Sequence, residues 1–151
     1  MKIVEILKKN QIFLNLDTPT KKKLLEEVSN LSAPLTSCEN QTIFDALIER
    51  ERLGTTGIGK GVAIPHARLT GLKHLFCAFL RVKPTDFESI DGKPVDLVFL
   101  LLVPEESGAD HLKALARISK LLRDEEVCKQ LRSAETPEKV LDIIKKHDTD
   151  D

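Results

Sequence analysis

The order of apolar and polar residues divides the chain into a helical start, a strand-rich middle and a helical end. Between residues 18 and 34, apolar residues recur at helical spacing. Thr18 offers a capping hydroxyl just before a proline, and Pro34 stops the run. A second helix is predicted over residues 40–54, with an apolar inner stripe and Gly54 past its end.

The hydrophobic period then changes to that of strands. Short segments rich in β-branched and large apolar residues are punctuated by glycine, proline and an Asp91-Gly92 turn signal. The predicted strands are residues 61–65, 74–82 and 94–104, with 11–16 as a further candidate. The segment 94–104 is apolar almost throughout, which is typical of a central strand covered on both faces.

A helical period returns at Asp110, and two shorter helices follow, over residues 125–131 and from Thr136 onward. Helices at both ends of a group of strands predict an α/β (α+β) three-layer sandwich, a mixed sheet with helices on both faces. We expect one domain over residues 1–146, and a flexible tail over residues 147–151.

The charge balance, the length of the apolar runs and the cysteines limit the functions that we expect of this chain. Lys and Arg number 23 against 24 Asp and Glu, a net charge of −1, so we expect neither nucleic-acid binding nor attraction to anionic membranes. The longest apolar run, "LVFLLLV", is far short of the roughly 20 residues of a membrane helix. Three scattered cysteines and an N-terminus unlike a signal peptide indicate a cytoplasmic protein. The lysines at 21–23 favour a solvated helix start.

The segment "GTTGIGKGVAIPHAR", residues 54–68, matches most of a nucleotide-binding P-loop. Two features argue against that function. Gly61 follows the lysine, so no hydroxyl is available for magnesium, and a helix precedes the glycines where a P-loop has a strand. The competing hypothesis is that the segment presents His66, at the end of an apolar strand, for chemistry of its own.

Imidazole is a nucleophile near neutral pH, and a rigid proline before His66 would hold its ring in place. The alternative is a turn histidine whose nitrogens are merely satisfied. Phosphoryl chemistry would also need fixed donors or cations. Candidates are the amides of Gly57–Gly61, Arg50 in the last turn of the second helix, and His111 at the start of the helix after Asp110. Arg50 can equally complement a helix C-terminus, and His111 can be a spectator.

The segment "ERLGTTGIGKGVAIPHA", residues 51–67, resembles the active-site signature of the enzyme IIA domains of the phosphotransferase system, fructose–mannitol class. The shared features are an acidic Glu51, the pair Ile58-Gly59, and an apolar run that closes on His66 and a small residue. That small residue is Ala67, where glycine is more usual.

The resemblance extends over the whole chain and implies a mixed sheet of about five strands flanked by helices. It implies that His66 accepts a phosphoryl group, that Arg50 stabilises that group, and that His111 is the second active-site histidine. Attack by Nε2 of His66 is implied, with the proton on Nδ1 held by a backbone carbonyl. No metal or dissociable cofactor is implied.

The implied phosphoryl donor is a small histidine phosphocarrier protein. Two features resemble the nitrogen-regulatory branch of the family. We expect a single domain without membrane and IIB domains, and the sequence of residues 54–68 is similar to that of this branch. Members of that branch signal through their phosphorylation state to targets such as sensor kinases or potassium-transport proteins. The alternatives are the IIA component of a fructose/mannitol-type sugar permease, and a binding module of the same fold that is not phosphorylated. Ile58 and Leu69 are candidates for an apolar docking patch.

Overall fold

A computed structural model describes residues 1–150, which form a six-stranded sheet with helices on both faces. The helices are α1 (Ile3–Ile6), α2 (Lys21–Thr36), α3 (Asn40–Arg52), α4 (Asp110–Leu122), α5 (Glu125–Ser133) and α6 (Pro137–His147). The strands are β1 (Ile12–Leu16), β2 (Gly57–Gly59), β3 (Val62–Ala63), β4 (His66–Leu69), β5 (Phe76–Thr85) and β6 (Val95–Pro104). Within this described part of the chain, no helix is long and apolar enough to cross a membrane.

Strand β6 is the centre of the sheet. It pairs antiparallel with β5 on one side and parallel with β3 and β4 on the other. Strand β1 lies outside β5 and parallel to it, and β2 lies outside β3 and antiparallel to it. The predicted mixed sheet is therefore confirmed, with the apolar segment at its centre.

Side chains of β6 alternate between two apolar clusters, one on each face of the sheet. Phe99 and Leu101 pack with residues of α1, α4, α5 and α6, whereas Val98 and Leu100 pack with residues of α2 and α3. Because successive side chains of a strand point to opposite faces, an uninterrupted apolar strand serves both clusters. Residues 97–102 are at most 1% exposed, which confirms the three-layer sandwich.

Helix α2 differs from its prediction at both ends. Its cap is Thr20, whose hydroxyl accepts a hydrogen bond from the Lys23 amide at 3.1 Å. Thr18 is buried instead, and its carbonyl accepts a hydrogen bond from a β5 side chain. Pro34 lies inside the last turn rather than ending the helix, and Ser37, with φ 59°, ends it. A proline so near the C-terminus removes a single hydrogen bond, which the packed helix tolerates.

The strand predicted over residues 61–65 is interrupted rather than ended by its proline. Strand β3 stops at Ala63, and pairing with β6 resumes at His66. Between them, the Leu101 amide donates to the Pro65 carbonyl at 3.0 Å, so both strands occupy the same side of β6. The sheet thus has five positions filled by six strands, and His66 begins a strand rather than following one.

The predicted tail is wrong for its first two residues. His147 ends α6, and the side chain of Asp148 is only 4% exposed. Its carboxylate accepts hydrogen bonds from the Ile3 amide at 2.7 Å and from Arg117 Nε at 2.6 Å. The last residue of the predicted tail, Asp151, lies outside the described residues. Asp148 therefore joins α1, α4 and α6 on one face of the sheet.

Replacing Asp148 by alanine should lower the free energy of unfolding by about 3 kcal/mol, because removing one member of a buried ion pair leaves the other uncompensated. The matched control is Asp150→Ala, since Asp150 also lies 2.8 Å from Arg117 but is 75% exposed. Solvent screening should make the control's effect far smaller. Urea unfolding of both variants checks this, and equal losses would contradict it.

Candidate active site

His66 is held by its own strand. Its Nδ1 lies 2.8 Å from the carbonyl oxygen of Ile64, and the ring is half-buried at the start of β4. A carbonyl oxygen can only accept a hydrogen bond, so Nδ1 carries the proton and Nε2 carries the lone pair. The break in pairing at Pro65 brings the Ile64 carbonyl within reach of the ring. Local backbone geometry therefore selects the tautomer.

Arg50 meets this ring from the end of α3. Its Nε donates to Nε2 of His66 at 3.3 Å, and its Nη1 donates to the carbonyl of Gly54 at 3.0 Å. The second contact is that of a cation at a helix C-terminus, and the first is that of a partner to the histidine. Arg50 therefore makes the contact of a cation at a helix C-terminus and also reaches His66, while its role toward a phosphoryl group stays a prediction.

Burial is the main cause that holds the pKa of His66 below its ordinary value of 6.5. The Ile64 carbonyl opposes the shift by stabilising the protonated ring, and the positive charge of Arg50 adds to it. Weaker influences come from Glu51, which raises the pKa, and from His111, which lowers it. The ring is consequently neutral at pH 7, with one unprotonated nitrogen.

His111 lies in the first turn of α4, on the same side of the molecule as His66. Its Nδ1 lies 2.7 Å from the carbonyl of Gly108, so this nitrogen too is a donor. Nη2 of Arg68 lies 3.2 Å from its Nε2. The two histidines are thus connected through β4, which carries both His66 and Arg68, and not by a direct hydrogen bond between their rings.

Arg68 also belongs to this site, although it is not among the site residues that the sequence predicts. It follows His66 by two positions in β4, so both side chains lie on the same face of the strand. Its Nη1 donates to the carbonyls of Glu105, at 3.1 Å, and Ser107, at 2.7 Å. The period of two after His66 is a signal that could have indicated it.

Glu51 stabilises the loop next to the site. Its carboxylate accepts hydrogen bonds from the amide and the hydroxyl of Thr56, and Lys21 Nζ lies 3.0 Å away. The Glu51 side chain is 6% exposed and that of Lys21 is 17% exposed. Lys21 is therefore part of a covered ion pair rather than a solvated helix start, and Glu51 fixes the loop between α3 and β2.

The glycine-rich stretch does not form an anion-binding loop. Gly57–Gly59 is strand β2, and Lys60 and Gly61, both at positive φ, make the two-residue turn into β3. The Lys60 amide donates to the Asp91 carboxylate at 2.9 Å. A Cβ on Gly61 would lie 2.6 Å from Arg132, so close packing as well as the turn requires glycine.

Together these contacts make a cationic face around a neutral imidazole. Arg50 and Arg68 supply two guanidinium groups, and His111 supplies a second ring. Residues 1–150 contain no group of three His, Cys, Asp or Glu side chains placed to hold a metal ion. The chemistry available is that of a nucleophilic ring nitrogen with nearby donors for an anion.

Fold and site define a class, the α/β sandwich with a histidine centre where β4 pairs in parallel with β6. The comparison with protein families is specific: the model of the phosphoenolpyruvate-dependent sugar phosphotransferase system EIIA 2 family matches residues 5–147. The chain belongs to this family.

Relatives and solved structures agree with this assignment. The chain is 46% identical to a nitrogen regulatory protein of Bradyrhizobium diazoefficiens over 95% of both chains. It is 41% identical to a fructose-specific EIIABC component of Bacillus subtilis, over 98% of this chain and 24% of that protein. The crystal structure of nitrogen regulatory protein IIA-Ntr from Neisseria meningitidis superposes with a TM-score of 0.90 at 38% identity. That superposition covers 94% of this chain and 98% of that one.

In an NMR titration, the pKa of His66 should lie below 6.5 and should rise in Arg50→Ala, because this substitution removes a positive charge and exposes the ring. Arg52→Ala is the matched control, since the side chain of Arg52 is 68% exposed in the same helix. A His66 pKa above 6.5, or one indifferent to Arg50, would contradict this electrostatic account.

The same shift has a consequence for stability. A lowered pKa in the folded state means that the unfolded chain binds more protons, so stability should fall as pH drops from 6.5 through the folded pKa. His66→Gln should lose this part of the pH dependence. Urea unfolding of both proteins between pH 7 and pH 5 measures it, and identical pH profiles would be the contrary result.

Proposed function

We propose that the protein is a phosphoryl-accepting regulatory IIA protein, phosphorylated on Nε2 of His66 by a histidine phosphocarrier protein. The observation that carries the proposal is the neutral ring of His66, whose Nδ1 proton is committed to the Ile64 carbonyl and whose Nε2 faces a guanidinium. Such a ring needs no proton removal before it attacks phosphorus. The protein is thus a phosphocarrier in which the covalent intermediate is itself the signal, and its proposed location is the cytoplasm.

The transfer is a displacement at phosphorus. The bond between phosphorus and the donor's ring nitrogen breaks, and its electron pair returns to that nitrogen. A bond from Nε2 of His66 to phosphorus forms, and the proton stays on Nδ1, which donates to the Ile64 carbonyl. Arg50 must give up its 3.3 Å contact with Nε2, and its guanidinium can then donate to the phosphoryl oxygens. His111 and Arg68 border the same face, and Arg68 holds the His111 ring in place beside the site of transfer.

The donor protein would dock on exposed apolar side chains beside this face. Leu53 is 85% exposed next to Gly54, which Arg50 binds, and Leu112 is 59% exposed next to His111. Leu69, one of the two predicted docking residues, is only 2% exposed, so that expectation is wrong. Burial in the sheet explains the difference, because Leu69 alternates with the outward-facing residues of β4.

Regulation would follow from the added charge. A phosphoryl group brings about two negative charges at pH 7 to a face that now carries Arg50 and Arg68. A partner that binds this face therefore meets a cationic surface in the unphosphorylated state and a largely neutralised one in the phosphorylated state. The similarity to nitrogen regulatory proteins favours regulatory targets, such as sensor kinases or potassium-transport proteins, as the partners.

A second function has support from the comparisons. The 41% identity to part of a fructose-specific EIIABC component fits a protein that passes its phosphoryl group to the IIB component of a sugar permease. Transfer from the phosphorylated protein to such a IIB protein, measured by loss of the phosphoryl group, separates the two functions. A third possibility, a binding module that is never phosphorylated, is disfavoured because His66 and Arg50 are both present and in contact.

Incubation with phosphoenolpyruvate, the first enzyme of the system and its phosphocarrier protein should add about 80 Da, the mass of one HPO₃ group. The gain should be absent in His66→Ala, because the accepting nitrogen is gone. His74→Ala and His147→Ala are controls and should gain the mass normally. Intact-mass spectrometry measures the result, and a gain that persists in His66→Ala would refute the proposal.

The docking residues make a separate prediction. Leu112→Ser should raise the KM for the phosphorylated donor about 10-fold, since truncation of a central apolar contact weakens association. The maximum transfer rate should stay near that of the wild type. Ile90→Ser is the control, because Ile90 is also an exposed apolar residue, with 74% of its surface accessible. Its own amide donates to the Gly57 carbonyl, away from His111. Equal effects of the two substitutions would remove Leu112 from the docking surface.

A further inference from the structure

Arg68 connects three parts of the candidate site with one guanidinium group. Its Nη1 donates to the carbonyls of Glu105, at 3.1 Å, and Ser107, at 2.7 Å, and its Nη2 contacts the ring of His111. The donors of arginine form a rigid planar fork, so the two carbonyls and the ring are held in fixed positions relative to one another. Arg68 therefore holds the start of α4 against the strand that carries His66.

The Gly108 carbonyl determines which nitrogen of His111 carries the proton, and Arg68 holds the ring against it. Nη2 of Arg68 lies 3.1 Å from Nδ1 and 3.2 Å from Nε2. Nδ1 donates to the Gly108 carbonyl at 2.7 Å and so carries the proton, while Nη2 of Arg68 meets the ring between its two nitrogens rather than along one lone pair. The carbonyl thus fixes the tautomer, and the carbonyl and the guanidinium together fix the orientation of the ring.

The segment between β6 and α4 depends on this arginine. Residues 105–109 belong to neither a helix nor a strand, and Arg68 binds two of their carbonyls. Thr70 adds one further contact from just beyond β4, its hydroxyl donating to the Glu105 carboxylate at 2.7 Å. Loss of Arg68 would therefore remove its contact with the His111 ring. It would also release the 105–108 segment, whose Gly108 carbonyl binds that ring.

We propose that Arg68 is a positioning residue of the phosphoryl site, which fixes the His111 ring and the 105–108 segment relative to His66. This inference rests on the proposed function. In β4, side chains two residues apart lie about 7 Å from each other on one face, so Arg68 places its charge beside the incoming phosphoryl group without contacting the attacking nitrogen. It acts through His111 rather than on phosphorus.

The requirement is for an arginine rather than for a positive charge. Lysine would keep the charge, but its ammonium is a single point with no planar fork. It can reach one carbonyl or the ring, and it cannot span all three acceptors at once. We therefore expect Arg68→Lys to restore only part of what Arg68→Ala loses.

The experiment compares Arg68→Ala, Arg68→Lys and the matched control Arg81→Ala. Arg81 is also a strand arginine bound to main-chain carbonyls, those of Leu131, Arg132 and Ala134. Its partner on β6 is Leu97, whereas Arg68 pairs with Val103 at the far end of that strand. Two measurements are made: the imidazole ¹⁵N spectrum of His111, and the rate of transfer from the phosphorylated donor as a function of donor concentration.

Arg68→Ala should show averaged tautomers for His111 and a maximum transfer rate reduced about 10-fold, at unchanged KM, because a misplaced helper group costs transition-state stabilisation. Arg68→Lys should fall between Arg68→Ala and the wild type, and Arg81→Ala should match the wild type. An unchanged His111 spectrum or an unchanged maximum rate in Arg68→Ala would overturn the inference. A loss confined to KM would overturn it too, by making Arg68 a docking residue.

The proposed function and this inference fail in different ways. If the wild type accepts no phosphoryl group from the donor, the proposed function is wrong. The ¹⁵N spectrum would still decide whether Arg68 fixes His111, since that spectrum needs no phosphoryl donor. If the wild type is phosphorylated and Arg68→Ala is phosphorylated equally fast, the inference alone is wrong.

Discussion

The hydrogen bond between Nδ1 of His66 and the Ile64 carbonyl is the contact on which the rest of the site depends. It assigns the proton to Nδ1, and so it leaves Nε2 as the one nitrogen with a free lone pair. The contact exists because Pro65 interrupts the pairing of one strand position with β6 and lets it resume at His66. A break of two residues in a parallel pairing thereby determines the chemistry of the ring.

The three-layer sandwich brings the other groups to that ring. Helix α3 covers one face of the sheet and ends with Arg50 against β4, while the segment after β6 returns over the end of β4 and starts α4 at His111. Arg68 of β4 binds the segment after β6 and the ring of His111, because β4 and β6 run parallel and their C-terminal ends lie together. Two guanidinium groups and two imidazole rings, from three separate stretches of sequence, are thus brought to one side of the fold.

The sequence predicts those features that local pattern controls. The apolar segment 94–104 is the central strand, and Arg50 lies in the last turn of the second helix, as the pattern predicts. Features that depend on tertiary contact were missed. Thr20 rather than Thr18 caps α2, because Thr18 is buried against β5. The network of Arg68 joins residues about 40 positions apart, and the burial of Asp148 needs α1 and α4 in place, so neither is encoded in a local period.

The central claim is that Nε2 of His66 is the nitrogen that carries phosphorus, and one measurement tests it most directly. Long-range ¹H–¹⁵N spectra of the phosphorylated protein identify the substituted nitrogen of each histidine ring. The account predicts that His66 bears the phosphoryl group on Nε2 while its Nδ1 stays protonated against the Ile64 carbonyl. Phosphorus on Nδ1 of His66, or on another histidine, would contradict it.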